Sequence, residues 1–469
     1  MVRLLAALFA WLNTLHVARA LENGQGLMPP MGYSSRSDCS TEVTEWRIKN
    51  VTLSLIETGL AAKGYVYVNI DEGWLAGRNV TTGKIYANPH KFPSGIKALA
   101  DWVHDQVVPG KGNIMKIGLY TSRGTCQCST NTYHGPGSQW HVSEDAHWLG
   151  YAGMDYLKEE SCCSSQNHSV AIREYENMRD ALDATTRFTN RSVFFSVCGR
   201  GSWYAPVGAS LGNSWCVAKH GSHWGALSNS INENAALWNF SRPGAWNDPD
   251  LLQGTGVGSN DLPQNPRGCY DPRQAPHTHD WYVTEEQSRA QFSMWAVMSA
   301  PLLISADVGQ VSQYSLETWG NEEVIAVSQS FVRGGPYQGQ RLFGEDLKFD
   351  KRSAKGKGVN VWGKKLPCGS FALVFINNNN EASDVLCDMW CFEQMVEADV
   401  TQYSMRDLWA RNNTGTLKKP FSYTALQVPK HGGVVMLRFK VISTWPVREV
   451  SPHTKYRIGR RCDSTVGEV

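Results

Sequence analysis

The segment GYVYVNIDEGW, residues 64–74, decides the fold. A short apolar run, Tyr65 to Val68, passes into Asn69, Asp71 and Glu72 and then into Gly73, the pattern of a buried strand that ends in polar residues and a Gly-containing loop. Working outward, the same rhythm recurs from Leu27 to about Leu303. The strand candidates are Met31–Ser35, Tyr65–Trp74, Met115–Ser122, Met154–Cys162, Ser192–Gly199, Ser214–His220, Ala245–Asp250 and Ala300–Ser305. Amphipathic stretches lie between them, at Thr41–Gly59, Gly95–Gln106, Ser169–Thr185, Trp224–Asn239 and Thr284–Met298, with acidic residues leading several and Gly or Asn closing some. Eight strand–helix units in roughly 280 residues match the size of a parallel (β/α)8 TIM barrel. An open doubly wound sheet would need Gly-x-Gly-x-x-Gly straight after an early strand, and none stands there.

Beyond the barrel the rhythm changes to short β-rich runs: Gly358–Trp362, Ser370–Asn377, Phe421–Val428 and Gly433–Phe439. The expected architecture is therefore α/β: a barrel over 21–310, a small antiparallel β-sandwich domain over 311–442, and a basic, mobile tail over 443–469.

The 469 residues carry 45 Lys and Arg against 43 Asp and Glu. The balance becomes even once Arg3 and Arg19 leave with the leader described next, which argues against a nucleic-acid partner. Residues 1–20, MVRLLAALFAWLNTLHVARA, read as a secretory leader cut after Ala20. A membrane anchor is the competing reading, but the apolar run Leu4–Leu12 is far shorter than the roughly 20 residues that span a bilayer. No later segment is long and apolar enough to span. Twelve Cys follow the leader, with sequons at Asn50, Asn79, Asn167, Asn190, Asn239 and Asn412, so a glycosylated, disulfide-bonded protein on the secretory route is expected, either secreted or in a lysosome- or vacuole-like compartment. A zinc site from Cys126, Cys128, Cys162 and Cys163 is the alternative for those four, disfavoured by their spacing.

A β/α barrel carries its chemistry at the C-terminal strand ends. Here those ends are rich in carboxylates: Asp71-Glu72, Lys158-Glu159-Glu160 and Asp248-Pro249-Asp250. Paired carboxyls across a mouth, with aromatic rings to cover a sugar face, suit glycosidic bond hydrolysis. Read singly, each acid is as readily a cap or a partner for loop amides, and a buried Trp is most often core.

At these strand ends the chain resembles the melibiase-type family of α-galactosidases and α-N-acetylgalactosaminidases, glycoside hydrolase family 27. The matching stretches are MPPMGYSS (28–35), GYVYVNIDEGW (64–74), FPSGIKALADWVH (92–104), GMDYLKEESC (153–162), GASLGNSW (208–215), PGAWNDPDLL (243–252) and FSMWAVMSAPLLIS (292–305). RDLWARNNTG and VPKHGGVVMLRF resemble the C-terminal β domain of the family, so the likeness spans nearly all of the mature chain.

The resemblance implies a retaining exo-glycosidase that releases terminal α-D-galactosyl residues from oligosaccharides or glycoconjugates. It places the nucleophile at Glu160 and the acid/base at His220, where the family has Asp in both. It assigns Asp71 and Glu72 to the galactose 4- and 6-hydroxyls, and Tyr120, Lys158 and Asp250 to further sugar contacts. A family disulfide falls on Cys126 and Cys162, with Cys128 and Cys163 adjacent; Cys198 and Cys216 are a weaker candidate pair. Further departures are Arg36 for a sugar-facing Trp and Cys216 for an Arg after the strand-six Trp. No metal or organic cofactor is implied. The partner is an α-galactoside, and a homodimer is compatible with the resemblance. The competing functional class is a catalytically impaired, secreted galactoside-binding protein on the same scaffold.

Overall fold

A computed structural model describes residues 21–128, 135–219, 221–255, 283–350 and 355–444. The expected leader, residue His220, and the expected tail beyond Thr444 lie outside the described residues.

Eight parallel strands form the N-terminal sheet in chain order: β1 (Met31–Ser34), β2 (Tyr67–Asn69), β3 (Lys116–Ser122), β4 (Tyr156–Glu160), β5 (Phe194–Cys198), β6 (Ser214–Cys216), β7 (Trp246–Asp248) and β8 (Leu302–Ile304). β8 pairs with β1, and Leu252, just past β7, bridges to Ile304, which closes the barrel. The helices that cover it are α1 (Glu45–Glu57), α2 (Ile96–His104), α3 (Val142–Tyr151), α4 (His168–Thr189), α5 (Ala205–Leu211), α6 (Trp224–Ala235) and α7 (Glu285–Val297). Local signals set their ends. Thr44 accepts from the Arg47 amide to start α1, Asn167 starts α4 and left-handed Asn190 ends it, and Thr284 with Gln287 makes a capping box on α7.

Inside the barrel, Tyr67, Tyr156 and Phe194 form a layer, with Tyr156 stacked on Phe194 at 4.9 Å and edge-on to Tyr67 at 5.7 Å. Gly118 on β3 leaves room for it, since a Cβ there would stand 2.7 Å from that of Tyr156. This apolar floor supports the polar residues one step nearer the mouth.

Two helices, α8 (Gln313–Trp319) and α9 (Glu322–Ser328), lie between β8 and the antiparallel sheet, which begins at Gln340. That sheet runs β9 (Gln340–Gly344), β10 (Val359–Lys365), β11 (Phe371–Asn377), β14 (Gly433–Thr444), β12 (Val400–Asp407) and β13 (Asn412–Lys418). The antiparallel pair of Ser383–Cys387 with Tyr423–Val428 packs on it through Val385, Phe371, Phe375 and Phe439, completing a sandwich. Ser443 and Thr444, expected in the tail, finish β14.

The two parts are tied by Trp224 to Asn378 (2.7 Å), Trp409 to Ser293 (3.0 Å) and Arg406 to Glu323 (2.6 and 2.7 Å). Lys364 of β10 is wholly buried, and its ammonium donates to the carbonyls of Val327 and Ser328. Burial pushes its pKa down to about 7. Because the unfolded chain holds that proton up to about pH 10, the native state is penalised as pH falls from there toward 7. Lys364→Met should therefore stabilise the protein by about 2 kcal/mol below pH 7, after allowing for the two abandoned carbonyls, and destabilise it by about 2 kcal/mol at pH 10, where the carbonyl cost remains and most of the protonation penalty is gone. Urea denaturation at both pH values measures this; a gain independent of pH would contradict it.

Candidate active site

Strand alternation builds the mouth. On β4, Tyr156, Lys158 and Glu160 point inward, so Lys158 and Glu160 stand successively above the aromatic floor. Glu159 points the other way, wholly buried behind the barrel wall, and burial raises its carboxyl well above the usual range. Of the adjacent acids at this strand end, the pleat delivers Glu160 to the mouth and withholds Glu159.

The Lys158 ammonium lies 2.9 Å from Asp71 Oδ2 and 3.1 Å from Glu160 Oε1, so one buried cation joins the ends of β2 and β4. Arg200, from the loop after β5, hydrogen-bonds Glu160 Oε2. Arg36, after β1, stands 3.7 Å from Asp71 Oδ1 and 3.5 Å from Glu72 Oε2. Asp71 is further fixed by its backbone amide, which donates to Ser35 Oγ at 2.9 Å. Tyr120 is buried beneath the cluster with the Lys158 ammonium 5.7 Å from its ring centre.

Burial pushes the Asp71 carboxyl up, but Lys158 and Arg36 outweigh it and hold the group below its ordinary range. Burial likewise works to lower the Lys158 pKa, and Asp71 with Glu160 reverses this. Glu72 behaves differently: burial, then repulsion from Asp71, pushes it up to about 7 despite Arg36. Among the described residues its Oε1 is buried without a partner. Two acids adjacent in sequence thus occupy different protonation states near neutrality, because the lysine reaches one of them and not the other.

Asp250 lies on the opposite side, lining with Asp71, Lys158, Asp248 and Cys216 a small cavity above the floor. Its backbone has φ 107°, its amide donates to Asp248 Oδ1 at 2.9 Å, and its Oδ2 accepts from the Gly221 amide at 3.1 Å. The structure therefore brings together Asp71, Glu72, Tyr120, Lys158 and Glu160, with Asp250 across the barrel, while His220 lies outside the described residues.

The expected Cys126–Cys162 disulfide is not formed. Cys126 pairs with Cys163 and Cys128 with Cys162. The segments after β3 and β4 approach each other antiparallel, with the Thr125 amide on the Cys163 carbonyl, so the later cysteine of one meets the earlier of the other. Cys128 Sγ lies 3.3 Å from Glu160 Oε2, and its bond to Cys162 leaves no thiolate there for a metal. This also displaces the zinc alternative for these four cysteines. Cys198 and Cys216, ending β5 and β6, do pair.

Reading the sequence alone missed Arg200 as a partner of Glu160. The signal present was the Gly199-Arg200-Gly201 run straight after a strand, a loop able to take unusual backbone angles.

A family model described as alpha galactosidase A matches residues 32–267 and 266–330, and one for the alpha galactosidase C-terminal beta sandwich domain matches 356–439. The chain belongs to the α-galactosidase family. Relatives of this family include a protein named probable alpha-galactosidase from Dictyostelium discoideum, 30% identical over 93% of this chain and 98% of its own length. The rice alpha-galactosidase is 31% identical over 86% of this chain and 84% of its own. The α-galactosidase of Saccharomyces cerevisiae shares the fold with a TM-score of 0.74 at 21% identity, over 91% of this chain and all of that one. Family membership makes this an α-galactosidase-like glycoside hydrolase scaffold: a TIM barrel with a C-terminal sandwich and disulfide bonds. Among the described residues no helix is long and apolar enough to cross a membrane.

Proposed function

We propose that this protein is a retaining exo-glycosidase acting on terminal α-D-galactosyl residues, with Glu160 as nucleophile and His220 as acid/base. The observation that carries this is the Glu160 carboxylate at the end of β4, gripped by Lys158 on one oxygen and Arg200 on the other, beside the Asp71–Glu72 pair. In the first step Glu160 attacks the anomeric carbon as the glycosidic C–O bond breaks, and the leaving oxygen takes a proton from His220. In the second, water with its proton passed to His220 displaces Glu160 and returns the carboxylate. Asp71, Tyr120, Lys158 and Asp250 hold the sugar, and Glu72 joins them.

The site differs from a pair of Asp, and this sets the expected rate. The extra methylene of Glu160 advances its carboxylate by about 1 Å, a displacement that can cost ~100-fold. An imidazole of ordinary pKa ~6.5 is largely protonated in mild acid, suited to donate in the first step and poor at accepting in the second. Slow turnover with a long-lived glycosyl-enzyme is expected below about pH 6. Glu72 adds its own dependence. The stability its protonated form confers is fully present below the ordinary carboxyl range and is lost as pH rises through about 7.

The substituted positions 160 and 220, with Cys216 in place of an Arg, favour a second reading, a galactoside-binding protein on the same scaffold. Hydrolysis of a chromogenic α-galactoside from about pH 4 to pH 8, beside calorimetric binding of galactose, separates the two. Turnover supports the hydrolase; saturable binding without turnover supports the lectin-like reading. We also place the protein on the secretory route, a reading supported by the disulfides and by the exposure of Asn79, Asn167, Asn190, Asn239 and Asn412.

A further inference from the structure

The loop after β5 is held from several sides. Cys198, its first anchor, is bonded to Cys216 at the end of β6, and both are buried. The Gly201 amide donates to the Cys216 carbonyl at 3.1 Å. A Cβ on Gly199 would meet the Tyr204 hydroxyl at 1.9 Å, so a residue larger than glycine has no room there. Between these restraints Arg200 takes a left-handed φ of 56° and reaches Glu160, whose strand neighbour in register is Cys198 itself. Among the described residues Arg200 Nε is buried without a partner, and the guanidinium is held by its bond to Glu160 and by its loop.

The loop that carries Arg200 and the end of β6 are joined covalently through Cys198 and Cys216. We propose that Arg200 and the Cys198–Cys216 disulfide form one positioning unit, which keeps the Glu160 side chain ionised and oriented. The orienting role follows from geometry: Lys158 takes Oε1 and Arg200 takes Oε2, which fixes rotation about the last bond of the Glu160 side chain. The electrostatic role follows from what surrounds Glu160. Among the described residues Lys158, Arg200 and Arg36 are cationic and Asp71 is ionised, while burial raises the pKa of Glu72 and of Tyr120. Deleting Arg200 removes the cation bonded to Oε2 and so disfavours the Glu160 carboxylate.

The catalytic consequence rests on Glu160 being the nucleophile; the positioning itself does not, and the two are tested separately. In full-length protein with glutamate labelled at the side-chain carboxyl carbon, the Glu160 resonance is identified by its loss in Glu160→Gln and titrated by NMR. Its midpoint is expected to rise by roughly 1–3 pH units in Arg200→Gln and to return most of the way in Arg200→Lys. The paired Cys198→Ala, Cys216→Ala change should raise it as well, because Arg200 loses its anchor. The acidic limb of kcat/KM moves with it. An unchanged midpoint in Arg200→Gln overturns the proposal, and a rise there without one in the cysteine pair overturns the disulfide's part in it. Shifted midpoints in a protein that never turns over substrate support the positioning unit and sink the hydrolase reading instead.

Discussion

Glu160→Gln is expected to lower kcat on an α-galactoside by on the order of 10³-fold or more, with galactose affinity changed only a few-fold. The replacement keeps the side chain's shape but removes the lone negative charge able to form a bond to the anomeric carbon. Its amide nitrogen must also face either Lys158 or Arg200, both donors, so one hydrogen bond is lost whichever way it turns. The substrate-holding residues Asp71, Tyr120 and Asp250 are untouched, which is why binding should persist while chemistry stops. Steady-state kinetics and calorimetry on the same preparation read the two effects apart. Full activity in the variant would remove Glu160 from the reaction.

The second large effect is on stability. Lys158→Met should destabilise the protein by about 3–5 kcal/mol at pH 7, because it leaves two buried carboxylates without the cation they share. Among the described residues their remaining cations, Arg36 and Arg200, are each about a third exposed at the side chain and reach from the rim. The sign with pH is fixed by Asp71. Since its folded pKa lies below the unfolded one, its contribution is present above the ordinary carboxyl range and is lost as pH falls through the folded value. The penalty of the variant should accordingly shrink toward pH 4, as the orphaned carboxyls take up protons. Urea denaturation at pH 7 and pH 4 gives both numbers, and an equal loss at the two would exclude the ionic origin.

The barrel strands were legible because each is an apolar run closed by polar residues, and all eight candidates contain an observed strand. The helices were less so. α3 escaped notice because its buried face includes Asp145, bonded to Arg78 at 2.6 and 2.7 Å, and Gly150, which break the apolar stripe. α5 packs through Ala205, Gly208 and Ala209, residues too small to signal burial. In the second domain, β12 and the edge strand β13 carry mostly polar residues, so alternation was faint there.

The site divides in the same way. Which acids end the strands is written in the chain, and period-2 alternation already separates Glu160 from Glu159. The sequence by itself therefore determined the barrel, its order, and the acids and lysine that could meet at its mouth, since these follow from local periodicity and strand direction. Tertiary structure alone decided which cysteines pair, that Arg200 grips Glu160, and that Glu72 holds its proton up to about pH 7 while Asp71 does not. Those outcomes depend on ångström-scale distances between segments remote in the chain and on how much water they exclude, and neither quantity has a local sequence signature.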